Sequence, residues 1–368
     1  MTRNTDFDFA DVTVFIFTRN RPKFLSNLVN YWSLTNIKIL ICDGSDVPVD
    51  FQGVKDNVNV SRYNIVSLSE RFRVASQVIS TKYSFLQGDD DLIPFESILK
   101  ARRYLEENPS IQGVWREPYE FSSTNLFPKL GGRAIRRFSN LDESPSNRAV
   151  NYLNRAYDLH FHGFFSSDPF KSALAMTAYK GELTDEEWLI PFPVIFELSM
   201  SLHCRTLYLE EFDYLKRKME EVPIFSNRIR ELQSNIQDEI KLSWGDEQVQ
   251  AKWKDFVPNW LSLTELTVED RSTLEARLVA YARSKKPSNV IEKTRTYSFR
   301  VKMRSKAMAK LRKLTFVYIL LRLVYRFWHS AENQISGKAI NWTKVGKNPR
   351  FYPVSKFVKV FSDSPLGS

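Results

Sequence analysis

The chain has 368 residues, 43% hydrophobic and 14% aromatic, enough apolar material for a full core and unlike a disordered protein. No run of 18 or more apolar residues occurs, so no membrane-spanning helix is expected. The net charge of +10 is uneven: the last 76 residues hold 17 Lys and Arg against Glu332 and Asp363, which leaves a mildly acidic body and a strongly basic tail.

Val12–Phe17 is a continuous apolar run rich in β-branched and aromatic residues, which predicts a buried strand. A polar loop, Thr18-Arg19-Asn20-Arg21, leads to Pro22, suited to the first turn of a helix, and Phe24, Leu25, Leu28, Val29 and Trp32 then recur at helical spacing. Ile37–Cys42 is a second buried strand, closed by the turn Asp43-Gly44-Ser45-Asp46. Val58–Val60 and Tyr63–Val66 supply a third strand, and Phe72–Val78 a helix. Tyr83–Gly88 is a further apolar strand ending in Asp89-Asp90-Asp91, and 94–106 is helical. Strands alternating with helices predict an α/β fold with a mostly parallel sheet flanked by helices.

The pattern is weaker after Gly113. Val114–Glu117 suggests another strand, 127–148 a long loop, and Leu159–Phe165 a strand or pocket wall. Trp188–Cys204 is apolar, with a helix expected after Pro193, and helical character is expected over 226–285. Cys42 and Cys204 form neither a metal-ligand nor a disulfide pattern and read as buried reduced thiols. With the polar segment Met1–Asp6, which lacks the apolar core of a signal peptide, they set the expectation of a cytoplasmic chain.

The aspartate triplet carries the chemistry. Adjacent carboxylates repel at the end of a buried strand unless a cation lies among them. Mg²⁺ and Mn²⁺ favour oxygen ligands, and Mg²⁺ commonly needs only one or two carboxylates beside phosphate oxygens. A triplet taken alone is more often a solvated acidic turn. Here Thr18–Arg21, Asp43–Asp46 and Asp89–Asp91 all fall at strand carboxyl ends, where α/β sheets bind ligands, and this favours a metal–diphosphate site.

In order and at spacings of about 25 and 46 residues, these segments resemble the family 2 type of GT-A glycosyltransferase, with its Asp-Gly-Ser turn and DxD motif. The resemblance covers roughly residues 10–105 well and 106–215 loosely. It implies a GT-A, Rossmann-like domain over 1–225, followed by a helical extension over 226–292. It also implies that Thr18, Arg19, Arg21 and Asp43 bind the donor nucleotide. Asp89 would approach ribose or metal, Asp91 would coordinate Mg²⁺ or Mn²⁺, and Asp90 could take either part. Gln87 stands where family members often carry an acid. The reaction implied moves a sugar from a nucleotide-diphosphate donor to a hydroxyl of a glycan or lipid-linked acceptor, with inversion. That chemistry needs a carboxylate base. Asp185 and Glu186 are the first candidates and Glu197 the next, although an acidic first helical turn explains each as well. His160 and His162 would share a face if they lie on a strand, and read more simply as core or pocket residues than as ligands.

In the tail, Met303, Ala307, Leu311 and Leu314 recur at helical spacing beside Lys302, Lys306, Lys310 and Lys313. Residues 293–330 are therefore expected to form a basic amphipathic helical segment on an anionic membrane surface, with 331–368 a basic tail. No nucleic-acid motif accompanies them, so no nucleic-acid partner is expected. Two other readings stay open. A nucleotidyltransferase is disfavoured by the absence of glycine from Thr18–Pro22. A non-catalytic scaffold on the same fold is disfavoured by the acidic triplet.

Overall fold

A computed structural model of the chain describes residues 7–47, 60–122, 125–130, 138–155, 160–189, 192–217 and 247–284. Strands β1 (Val12–Thr18), β2 (Lys38–Asp43), β3 (Val60–Asn64) and β4 (Tyr83–Gly88) lie in the order β3-β2-β1-β4 and are mutually parallel. The sheet continues through β8 (Gly163–Ser166), β5 (Gly113–Trp115) and β9 (Thr206–Tyr208), with only β8 reversed. The expected α/β class is therefore observed. Successive strands move outward from β1 to β3, and the chain then returns to place β4 on the other side of β1. That reversal opens a crevice beyond the carboxyl ends of β1 and β4.

Alternation along the strands divides the interior into two cores. Val12, Val14 and Ile16 of β1 join Ile39 and Ile41 of β2 and Phe85 of β4 under helices α1 (Pro22–Trp32) and α3 (Phe95–Glu107). Phe15, Leu40, Cys42 and Leu86 face the other way, with helices α2 (Leu68–Val78), α5 (Ser167–Ala178) and α7 (Phe192–His203). Each fully buried Phe or Leu removes apolar surface worth roughly 1.5–3 kcal/mol. Both cysteines are buried and free, and burial pushes their thiols up to about 12.

The second half differs from expectation in places. Strands β6 (Tyr119–Ser122) and β7 (Asn125–Leu130) pair antiparallel, the end of β7 entering the region 127–148 expected to be a loop, and β10 (Leu215–Arg217) completes a small second sheet. Helix α4 (Pro145–Arg155) lies at the end of the same region. His160–His162 form a 3₁₀ turn before β8, not a strand. At three residues per turn the two rings diverge: His160 meets Glu197, and His162 lies edge-on to Tyr214.

The helix expected after Pro193 is α7, and a short helix, α6 (Asp185–Leu189), precedes it. Helices α8 (Glu247–Leu261) and α9 (Val268–Ser284) follow. Trp253, Phe256 and Trp260 of α8 complete the second core, and the Trp260 indole donates to the Met176 carbonyl at 3.1 Å. The expected boundary at 225/226 and the basic segments 293–330 and 331–368 lie outside the described residues. Among the described residues no helix is long and apolar enough to cross a membrane.

Candidate active site at the carboxyl edge of the sheet

Thr18 and Asp43 are opposite one another in the β1–β2 register, and Thr18 donates its hydroxyl to Asp89 Oδ2 at 2.6 Å. Ends of three adjacent strands thus meet at one edge. Arg21 adds the opposite charge: its Nη1 donates to Asp89 Oδ1 at 2.8 Å and to Asp90 Oδ2 at 3.1 Å. Its Cα position is set by the preceding turn. Asn20 adopts φ 55°, a left-handed conformation that Asn tolerates better than most residues. Its backbone N–H donates to Ser45 Oγ at 2.7 Å and its amide donates to Asp46 Oδ2 at 2.9 Å, so the β1 loop is clasped to the β2 loop. Arg19 is exposed and lies 3.9 Å from Asp46.

Asp43 is buried. Burial works to raise its pKa, but the bonds from Ser45 and Arg62 (2.7 Å to Arg62 Nη2) outweigh it and hold the carboxyl below its usual range. Asp89 is also buried, and here burial wins. Arg21 pulls downward and Asp90 upward, and the carboxyl ends at about 6.

Asp91 accepts from the Tyr214 hydroxyl at 2.9 Å on Oδ2. This contact spans 123 positions of sequence and follows from a reciprocal backbone bridge, Leu92 with Leu215, at 2.8 Å in both directions. Gln87 also holds the turn. It accepts from the Trp32 indole at 3.0 Å and donates to the Asp91 carbonyl at 2.7 Å. A carboxylate at this position could not make the second bond.

Sequence reasoning also missed Arg71. It is buried beneath the same edge and bonds the carbonyls of Thr18 (3.2 Å), Ile65 (2.7 Å) and Val66 (2.8 Å). A Cβ on Gly44 would stand 1.5 Å from its Nη2, so a side chain there would have to push the guanidinium off its carbonyl partners. The turn signal Asp43-Gly44-Ser45 was legible, but its neighbour across the fold was not.

The base candidates separate. Glu197 is fully buried on α7. It accepts from the His160 backbone N–H at 2.9 Å and lies 2.6 Å from His160 Nδ1, whose Nε2 is 3.3 Å from Thr206 Oγ1. Asp185 begins α6, half-exposed, bonded to Lys180 at 2.9 Å and to Ser67 at 2.9 Å. The Lys180 bond holds its carboxyl below the usual range. Ser67 directly precedes α2 and follows β3, so Asp185 stands toward the same edge of the sheet as the triplet. Glu186 is next on α6, and its side chain lies outside what the structure describes.

The all-oxygen donor set suits a hard cation. Among the described residues no three His, Cys, Asp or Glu side chains converge into a ready metal cage. Asp89 already uses both oxygens, on Thr18 and Arg21, so a metal at Asp89 requires one of these to yield. Asp90 is likewise held by Arg21 and Asp91 by Tyr214, so a cation at any acid of the turn competes with these bonds.

No protein-family model matches the chain, and no curated protein sequence does. Among solved structures it is similar to S. aureus TarS 1-349, at 14% identity and a TM-score of 0.43, over 76% of this chain and 88% of that one. S. aureus TarS over a longer chain gives 14% identity and a TM-score of 0.42, with 76% of this chain and 54% of that one covered. TarS 1-349 in complex with UDP-GlcNAc gives 13% identity and a TM-score of 0.39, with 76% and 89% covered.

Proposed function

We propose that this chain is a GT-A-type glycosyltransferase that uses a nucleotide-diphosphate sugar and transfers its sugar to a hydroxyl of a glycan or lipid-linked acceptor. One observation carries the reading: Thr18, Arg21, Asp43 and Asp89–Asp91 meet at the crevice where strand order reverses between β1 and β4. Asp43, fixed by Arg62 and Ser45, would accept from the nucleoside. Arg21 would counter diphosphate charge. Mg²⁺ or Mn²⁺, held by Asp91 with Asp90, would supply neutralisation of the diphosphate leaving group.

The general base falls to Asp185 or Glu186. Asp185 is ionised at neutral pH, half-exposed and toward the same edge. Glu197, whose oxygens serve His160, is the weaker candidate for deprotonating an acceptor. Inversion follows from a single displacement with such a base. The basic segment 293–330 would hold the enzyme on the cytoplasmic face of an anionic membrane, near lipid-linked acceptors.

The test is thermal stability with UDP-, GDP-, CDP- and dTDP-sugars, each with and without Mn²⁺. A ligand bound only by the folded state raises stability by roughly 2.7 kcal/mol at a hundredfold excess over Kd. One nucleotide class should shift the melt, metal should enlarge the shift, and Asp91→Ala should remove the metal's share while the fold stays intact. No shift with any donor would sink the reading.

A further inference from the structure

We infer that Tyr214 is a positioning residue for the acidic turn: its hydroxyl, carried in by the segment that opens the second sheet, sets the Asp91 carboxylate in the orientation in which it serves the donor site. The inference rests on the reading proposed above and adds to it a residue 123 positions from the turn. Tyr214 is buried, and its hydroxyl donates to Asp91 Oδ2 at 2.9 Å. The main chain on either side of that ring is fixed. The Asp213 N–H donates to Ser97 Oγ at 3.1 Å, near the start of α3. The Tyr214 carbonyl accepts from the Tyr119 N–H at 2.7 Å, and Leu215 exchanges both backbone bonds with Leu92 at 2.8 Å. The ring itself lies edge-on to His162, with centroids 4.8 Å apart. A hydroxyl held this firmly imposes its position on the carboxylate and does not follow it.

The turn is shaped to receive that bond. The Asp91 N–H donates to the Gly88 carbonyl at 3.2 Å, and the Asp91 carbonyl accepts from Gln87 at 2.7 Å, so its backbone is held from the β4 side. The carboxylate folds back over the last residue of β4: a Cβ on Gly88 would stand 2.9 Å from Asp91 Oδ2. The Tyr214 bond also differs in kind from the bonds to Asp89 and Asp90, which Arg21 makes with a positive charge. A neutral hydroxyl takes one of about four acceptor positions of a carboxylate, so it can stay in place while the same carboxylate meets a cation. Partners that orient a ligating carboxylate in this way are commonly worth about 10–100-fold in metal affinity.

The experiment measures Mn²⁺ binding to the full chain by the paramagnetic resonance signal of free Mn²⁺, with UDP, GDP, CDP or dTDP and corrected for Mn²⁺ held by free nucleotide. Diphosphate binding without metal is measured beside it. Tyr214→Phe keeps the ring and loses only the hydroxyl. It should weaken Mn²⁺ about tenfold and leave metal-free diphosphate binding unchanged. A purely structural role would lower both together, and that result overturns the inference. Mn²⁺ bound by Tyr214→Phe as tightly as by wild type, or more tightly, overturns it too, because the hydroxyl would then be idle or a competitor.

Gly88→Ala approaches the same contact from the other side. Its methyl group would press on Asp91 Oδ2 and shift it from Tyr214, so Mn²⁺ should again weaken with metal-free binding kept. Should Tyr214→Phe fail to fold, this variant decides, and unchanged Mn²⁺ binding overturns the inference. A wild type that binds a diphosphate with no gain from Mn²⁺ overturns it as well, and leaves the nucleotide-sugar reading standing. A wild type that binds no diphosphate removes that reading and this inference with it.

Discussion

Two buried carboxylates in this protein are held in opposite ways. Glu197, on α7, has its oxygens on the backbone and ring of His160, and no part of either residue reaches the surface. Asp89, at the end of β4, is bound by Thr18 and by an arginine whose head is partly exposed, and Asp90 and Asp91 continue the turn toward the crevice. Both carboxylates have partners, so burial alone does not distinguish them. What differs is whether a partner can be exchanged. A backbone N–H is fixed beside Glu197, whereas Arg21 meets Asp89 through a flexible side chain that is partly exposed.

The contrast is broken most directly at Glu197. Glu197→Ala would strand the His160 backbone N–H and ring in a dry interior, and should lower stability by about 3–5 kcal/mol, read as a lower midpoint in urea. A stable Glu197→Ala with abolished transfer would instead give Glu197 a catalytic part and erase the distinction.

An effect of intermediate size is expected from pH. The folded-state pKa of Asp89 is raised to about 6 from an ordinary 3.8, so between these values the folded chain binds more protons than the unfolded one. The contribution of this group is then fully present below about pH 4 and is lost as pH rises through about 6, by on the order of 1–3 kcal/mol. Asp89→Asn should flatten that part of the profile, so its stability relative to wild type should improve from pH 4 to pH 7. Denaturant melts across this range check the sign, and a relative loss with rising pH would show Asp89 to be an ordinary ion-paired acid.

The smallest effect belongs to the outer rim. Arg19→Ala removes an exposed pair with Asp46 and should change stability by less than about 0.5 kcal/mol. If Arg19 touches the nucleotide, as the family resemblance implies, the variant should still weaken donor binding in the same melting assay.

Much of the first hundred residues could be read in advance. β1, β2, β4, α1 and α3 fall where apolar runs, Pro22 and helical spacing place them, because both faces of a parallel strand are buried and leave a continuous hydrophobic signature. The second half was less legible. β7 runs into the start of the stretch whose composition suggested a loop, and His160–His162 form a turn whose rings part. Short strands and single 3₁₀ turns are selected by their neighbours in space, and local propensity carries little of that information.

The sequence by itself determined the class of fold and the positions of the acidic turn, because periodicity, turn residues and strand ends are local properties of the chain. Only tertiary structure decided the partners of each acid. Tyr214 reaches Asp91 across 123 residues, Arg71 ties together the ends of β1 and β3, and Glu197 turns to His160 and not to solvent. The physical reason is that a carboxylate's charge state and availability depend on dielectric surroundings and on donors brought by distant segments, and neither is encoded in the residues beside it.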